Sequence, residues 1–549
     1  MDHLLDKLPL YFHSVRYLKP IQVYGRVRSR IRKVRPDLAP APALRAQDGN
    51  WASGVRRPAR MVAPDRFRFL NQTRSMPSPS DWNHPDVEKL WLYNLHYFDD
   101  LNAEGCDQRR AWHVALIQRW ILENLPGRGN GWEPYPVSLR IVNWIRYILE
   151  GNEPQQRWID SLAVQARWLM RQVEWHLLGN HLLANAKALL FAGVFFEGEE
   201  AESWKTEGVR ILEAQFDEQI LADGGHFELS PMYHAIILED ILDLLNLSRA
   251  CPGALPERFV QRLSSAACPM LSWLEAMTHP DGRIALLNDA AFGISGTPQE
   301  LAAYAARLDC VRPEAESAVD FRKESGYIRL RFGEMVAFLD VGRIGPDYLP
   351  GHSHADSLSF EMSLFGERVI VDSGTSCYGT GDERLRQRGT AAHNTVQIDD
   401  ADSSEVWSGF RVARRAFPGP VSCREDSSGA VEVKASHNGY RRLQGRPVHH
   451  RIWRTAPGLF TVTDRIVGQY RQAQAMFHLH PDISATCSED GETVRLGLDG
   501  SRAIRITVSG GACRLVDTTW HPEFGVSLPA TGLSIRLNGP ELVTEFSWR

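Results

Sequence analysis

Paired cysteines are missing from this chain. Its eight cysteines (Cys106, Cys251, Cys268, Cys310, Cys377, Cys423, Cys487 and Cys513) are scattered, with no CxxC spacing. That pattern shows neither a zinc-finger framework nor a disulfide scaffold, and it suits a reducing compartment. Long apolar runs are missing too. The opening MDHLLDKLPLYFHSVRYLKP is interrupted by His, Arg, Lys and Pro. It does not read as a secretory leader, and no later segment has the length of a bilayer span. The expected location is therefore cytoplasmic, with a periplasmic site or export by a non-standard route as the alternative. There is no excess of one charge sign either. Lys and Arg total 62 against 67 Asp and Glu, a net charge of −5. A global basic field for nucleic acid is excluded, while a local basic groove is not.

What is present is globular. The apolar fraction is 43 % and the charged fraction 23 %, which excludes a disordered chain, a collagen and a coiled-coil rod. A length of 549 residues suggests two to four domains, at about 150 residues each. The 16 Trp, 14 Tyr and 19 His offer rings that stack on sugars or simply fill cores.

Three regions follow along the chain. Residues 1–86 read as a helical arm followed by Pro-rich linkers. The arm ends in a basic run, Arg26, Arg28, Arg30, Arg32, Lys33 and Arg35, which suits a solvated face, a membrane surface or a docking partner. From 87 to 320 the apolar residues recur at helical spacing, as in VSLRIVNWIRYILEG and MYHAIILEDILDLLNLS. Short breaks between such helices imply antiparallel hairpins, stacked as a solenoid or closed as a ring. From 321 to 549 the pattern changes to short, β-branched, turn-bounded segments such as MVAFLDVG and LFTVTDRIV, expected as antiparallel strands. A polymer-binding cleft is expected between the helical and β regions.

Three motifs carry candidate chemistry. In LLGNHLLANAKALLFAG, Asn180 is placed to cap a helix, with His181 and Asn185 one turn on. Asn180 either only caps, or donates from the positive helix end to a substrate carboxylate. In GGHFELSPMYHAIILEDIL, Ser230 and Pro231 start a helix and Tyr233 falls in its first turn. The helix end is expected to lower the Tyr233 pKa and poise it for proton transfer, unless it is a core tyrosine. In YLPGHSHADSLSFEMSLFGERVIVDSG…RLRQRGTAAHNTVQIDD, His352 and His354 share one face of an extended segment. Asp372 and His393 stand at neighbouring strand ends. Two imidazoles and a carboxylate suit zinc, or a polar strand surface. Arg384, Arg386 and Arg388 are the nearest candidates to bind an anionic polymer.

Taken together, GNHLLAN, ELSPMYH, GHSHADSLSF, VIVDSG and AAHNTV in this order resemble the heparinase II/III-like polysaccharide lyases, most strongly over residues 130–415. The opening YFHSVRYLKPIQVYGR is similar to members found with exopolysaccharide or capsule assembly genes. The resemblance implies an incomplete (α/α) toroid joined to an antiparallel β-sandwich. It implies β-elimination on a uronic-acid-containing polysaccharide, with an anionic polymer as partner and no nucleic acid. Under it, Asn180 neutralises the uronate carboxylate, Tyr233 acts as base and then acid, and His352 is the second proton-transfer residue. His181, Arg384 and Arg388 are expected to position substrate. His354, Asp372 and His393 are expected to hold a structural zinc. Two other readings stand beside this one. A glycoside hydrolase would need two flanking carboxylates, drawn from Asp223, Glu228 and Asp289. A non-catalytic polysaccharide-binding or assembly protein would keep the fold alone.

Overall fold

The computed structural model describes residues 7–310, 317–427, 429–498 and 502–548. Helices dominate from Lys89 to Arg307 and strands from Val319 onward, so the change of period in the sequence marks the change of architecture.

The arm forms two helices, Leu8–Val15 and Pro20–Ile31, each with a proline at its first or second position. There the missing N–H of proline costs nothing. The segment expected as a Pro-rich linker is instead a strap laid on the helical body. Arg167 donates to the carbonyls of Ala39 and Pro40, Leu44 bridges Phe196, and Trp51 packs edge-on against Phe191. A three-stranded antiparallel sheet follows (Met61–Ala63, Arg66–Phe69, Gln72–Ser75), which the turn-rich composition concealed.

The toroid pairs long helices around an apolar centre. Gly179–Phe195 and Glu199–Gln219 approach so closely that a Cβ on Gly193 would lie 2.4 Å from the backbone nitrogen of Lys205. The Gly179–Phe195 helix is buried almost all round, as expected for the inner ring of a two-layer toroid. Pro231–Ala250 is the next inner helix, with Ser230 Oγ accepting from the Tyr233 N–H at its start.

The β region is a sandwich. One layer has eight strands in the spatial order Ser422–Glu425, Val431–His437, Val448–Ala456, Leu459–Val467, Glu541–Ser547, Ala503–Ser509, Thr493–Gly497, Ser484–Cys487. The other joins a five-stranded meander (Val319–Arg322, Tyr327–Phe332, Met335–Asp340, Phe360–Leu364, Glu367–Ile370) to a four-stranded sheet through the Ile370–Leu479 bridge. Every second residue points inward: Leu459–Val467 buries Phe460, Val462, Asp464 and Ile466. Phe360 and Phe477 of one layer meet Phe460 and Phe546 of the other at 5.7 and 5.9 Å between ring centroids. A smaller apolar cluster, including Leu229, Trp273, Tyr327 and Phe338, welds the toroid to the sandwich. This seam holds the motif loops of both regions against one another.

Candidate active site

The three motifs converge on one cavity of about 310 Å³ between toroid and sandwich. Asn180, His181, Tyr233 and His352 all line it, together with Tyr135, Tyr378 and Phe410.

Asn180 is not the N-cap. Leu178 holds that place with φ 63°, and Gly179 follows with φ 55°. A Cβ on Gly179 would strike Leu349 at 2.3 Å and Glu228 Oε1 at 2.6 Å, so a side chain here would displace the Glu228 carboxylate and strain the backbone. The anion at this helix start is Glu228. Its Oε1 accepts from the Asn180 backbone N–H at 3.1 Å, and the Asn180 Nδ2 lies 3.2 and 3.1 Å from Oε1 and Oε2. Nδ2 also stands 3.5 Å from His352 Nε2. The helix end read as a seat for a substrate carboxylate is therefore filled from within, and only the amide of Asn180 reaches the cavity.

His352 is oriented by Asp289, whose Oδ2 accepts from Nδ1 at 2.9 Å. That bond fixes the tautomer and leaves Nε2 with its lone pair toward the cavity. Asp289 is fully buried. Burial opposes its ionisation, but the Arg384 guanidinium and bonds from His352 and His354 outweigh it and hold its pKa well below the usual carboxylate range. Arg384 clamps both Asp289 oxygens at 2.5 and 2.6 Å. Arg388 donates to the carbonyls of Ser353 and Gly409. Both guanidinium groups are buried. The expectation that Arg384 and Arg388 bind polymer is thus corrected: one is the counter-ion of Asp289, and the other braces the loop carrying His352. Their alternation on an exposed-looking RLRQR run gave no sign of this.

Tyr233 is buried, its ring 3.9 Å from that of His352, and its hydroxyl lies 2.9 Å from the Tyr378 hydroxyl. Burial first, then Tyr378 and the negative charge of Asp289, push its pKa well above 10. The expected lowering by the helix end is overturned, because desolvation of a phenolate outweighs a partial dipole charge. Its hydroxyl therefore keeps its proton in the free protein.

His181 packs on Tyr135 with ring centroids 4.4 Å apart, and its Nδ1 lies 3.2 Å from Glu174 Oε2. Burial disfavours its charge, yet Glu174 prevails and its pKa is raised. Asn185 is buried one turn on and holds Glu174 through its Nδ2, at 3.1 Å. At the far wall the cations are paired: Arg57 with Glu239, Arg146 with Asp243, and Lys187 with Asp240 and Asp243.

His354, Asp372 and His393 are all fully buried in one neighbourhood. His393 Nδ1 bonds Asp372 Oδ2 at 2.7 Å, and the His354 and His393 rings lie 5.2 Å apart. His354 Nε2 bonds Asp289 Oδ1 at 2.8 Å. His354 Nδ1, His393 Nε2 and Asp356 Oδ2 are buried without a hydrogen-bond partner. Unpaired acceptors in such a place are costly unless something fills them. Burial also takes the His354 pKa down to about 3, leaving a neutral ring of the kind a metal requires. As the side chains stand, no three His, Cys, Asp or Glu among the described residues converge as a metal cage. The residue types and their unmet valences fit a metal; the Asp372–His393 bond turns them partly onto each other.

Asp289, Glu228, Tyr378 and Glu174 were not recognised as parts of this site. Asp289 and Glu228 drew notice only as candidate hydrolase acids. The one local signal for Asp289 is the polar Asn288-Asp289 pair breaking the apolar stretch IALLNDAAFG.

Comparison with known proteins agrees with this architecture. Residues 112–305 match the heparinase II/III N-terminus model, and residues 315–549 match the heparinase II/III-like C-terminal model. The chain belongs to the heparinase II/III-like family of polysaccharide lyases. It is 28 % identical over 445 residues to FtsZ-localized protein C of Caulobacter vibrioides, covering 74 % of this chain and 72 % of that protein. It is 23 % identical over 383 residues to a heparin-sulfate lyase of Bacteroides stercoris, covering 64 % and 54 %. The chain thus spans about half the length of that lyase. In structure it is similar to heparinase III, with a TM-score of 0.68 at 20 % identity over 85 % of this chain and 79 % of that one. A heparan sulfate lyase of Pedobacter heparinus gives 0.60 at 19 % identity over 96 % and 88 %. These structures share its toroid-plus-sandwich fold.

Proposed function

We propose that the protein cleaves a uronic-acid-containing polysaccharide by β-elimination, with a bacterial exopolysaccharide or capsule polymer as substrate. The observation that carries this reading is the meeting of Asn180, Tyr233 and His352 in one cavity. All three line it, and similarity to relatives named heparin-sulfate lyases supports the reading.

Elimination must remove the C5 proton beside the carboxylate and expel the oxygen on C4. The Asn180 amide neutralises the uronate carboxylate, with His181 as a nearby cation, and so stabilises the enolate that forms. His352 Nε2 takes the C5 proton, while Asp289 supports the imidazolium through Nδ1. The C5 electron pair then forms the C4=C5 bond as the C4–O bond breaks. Tyr233, kept neutral by burial, gives its proton to the leaving oxygen. Stacked beside His352, it recovers that proton from the imidazolium after product leaves. This assigns base and acid to separate residues, in place of Tyr233 serving as both.

Zinc belongs to this reading as a structural group. His354, Asp372 and His393 would hold it, and bound there it would fix the segment that carries His352. No proton transfer passes through it. The hydrolase reading is weakened by what its acids do. Asp289 is clamped by Arg384, Glu228 by Asn180, and Asp223 accepts from Ser325. For the compartment we favour the cytoplasm. The support is eight cysteines that are all free thiols. No helix among the described residues is long and apolar enough to cross a membrane.

The test is ultraviolet absorbance of digests of uronate polysaccharides by wild type and Tyr233→Phe. A rise with wild type alone supports elimination. Reducing ends without absorbance would replace this reading with hydrolysis.

A further inference from the structure

The arm shows its apolar residues to solvent. Among the described residues, ten of the nineteen exposed large hydrophobic ones lie between Leu8 and Ile31. They are ordered. In Pro20–Ile31, Tyr24, Val27 and Ile31 recur at i, i+3 and i+7, with Val23 beside them, and Ile31 is 74 % exposed. The opposite face is the one fixed to the body. Gln22 donates to the Tyr348 carbonyl at 3.2 Å, and a Cβ on Gly25 would lie 3.0 Å from the His176 nitrogen. Gln22 and Gly25 each precede a stripe residue by two positions, about 200° around the helix. In Leu8–Val15 the residues Leu8, Phe12 and Val15 form a second stripe at i, i+4 and i+7, and Phe12 is 66 % exposed. There Tyr11 packs edge-on with Trp407, and Ser14 accepts from the Trp407 indole.

Charge adds a second observation. Residues 7–36 contain nine Lys and Arg and no Asp or Glu. Lys19 pairs with Glu218 and so anchors the arm. Arg26, Arg28, Arg30, Arg32, Lys33 and Arg35 make no ion pair among the described residues. Around the Pro20–Ile31 helix, Arg28 falls on one side of the apolar stripe, and Arg26 and Arg30 on the other.

We propose that this arm is a docking surface for an anionic lipid bilayer. A convex apolar ridge, rather than a groove, suits a deformable acyl boundary, and the flanking guanidinium groups suit lipid phosphates. Because the arm is pinned at Gln22, Gly25 and Lys19, the body would be held at the membrane in one orientation. The inference does not depend on the reaction catalysed.

The full chain is tested by flotation with vesicles of phosphatidylglycerol and phosphatidylcholine, and with vesicles of phosphatidylcholine alone. The expected result is binding at least tenfold tighter to the anionic vesicles and weakened by salt. It should be lost both in Tyr24→Ser/Val27→Ser/Ile31→Ser and in Arg26→Gln/Arg28→Gln/Arg30→Gln. Unchanged melting temperatures in both variants show that the body is intact. No flotation at low salt, or flotation that the apolar variant leaves unchanged, overturns the proposal. So does a concentration-dependent dimer that the apolar variant abolishes while vesicles go unbound, because the stripe then meets a second copy.

Discussion

His352 Nδ1 lies 2.9 Å from Asp289 Oδ2, across 63 positions of sequence, and the same carboxylate is clamped by Arg384 from behind. The imidazole is therefore held in one tautomer by an anion that cannot itself take the proton. Asp289→Asn should keep the ring in place but allow the wrong tautomer, lowering kcat by about 10³- to 10⁴-fold with little change in KM. Steady-state kinetics on an active uronate polymer checks this, with a thermal melt as the control for the loss of the Arg384 partner.

Tyr233 and Tyr378 share a hydroxyl contact at 2.9 Å, but only Tyr233 stacks closely on His352. Tyr233→Phe should remove at least about 10³-fold of the rate while polymer binding persists. Tyr378→Phe should cost about tenfold, the scale of one lost hydrogen bond to the proton donor. Equal effects of the two changes would exchange or merge these roles.

The raised pKa of His181 makes its charge depend on Glu174. A group whose folded pKa lies above its free value near 6.5 contributes stability below that pH and loses it as pH rises through the folded value. Binding of an anionic polymer should weaken over the same rise, as the imidazolium is lost. Glu174→Gln should move this midpoint to lower pH. Affinity measured from pH 5 to 9 on both proteins decides it, and an unmoved midpoint would remove His181 from substrate binding.

Asp464 sits inside the sandwich, 2.6 Å from His449 Nε2 and 2.7 and 2.9 Å from Arg451. Burial opposes its charge, yet Arg451 and His449 hold its pKa down to about 2. Its stabilisation is present above the unfolded value near 3.8 and is lost as pH falls toward 2. Asp464→Asn leaves a buried guanidinium without its anion and should cost about 3–5 kcal/mol. Urea unfolding at pH 7 reads the loss.

Metal analysis of protein purified without added metal should find close to one zinc per chain. His393→Ala and His354→Ala should both lose it, and chelation should lower the melting temperature. Retained zinc in either variant would move the site elsewhere.

Periodicity alone located the helical and β regions, because burial of one face leaves its repeat in the local sequence. Asn180 and Tyr233 were legible as residue types at helix starts and His352 as one in a polar loop before a strand, and the cavity does contain them. The strap at 37–60 was not, because its prolines describe what a backbone cannot do and not what it rests on. Tertiary structure alone decided the partners: Glu228 for Asn180, Asp289 for His352, Tyr378 for Tyr233 and Arg384 for Asp289. Each joins segments at least 48 positions apart, where no local pattern records contact. It also decided the sign of the Tyr233 shift and the burial of Arg384 and Arg388. Desolvation depends on everything packed around a group, and the neighbours along the chain are only a small part of that.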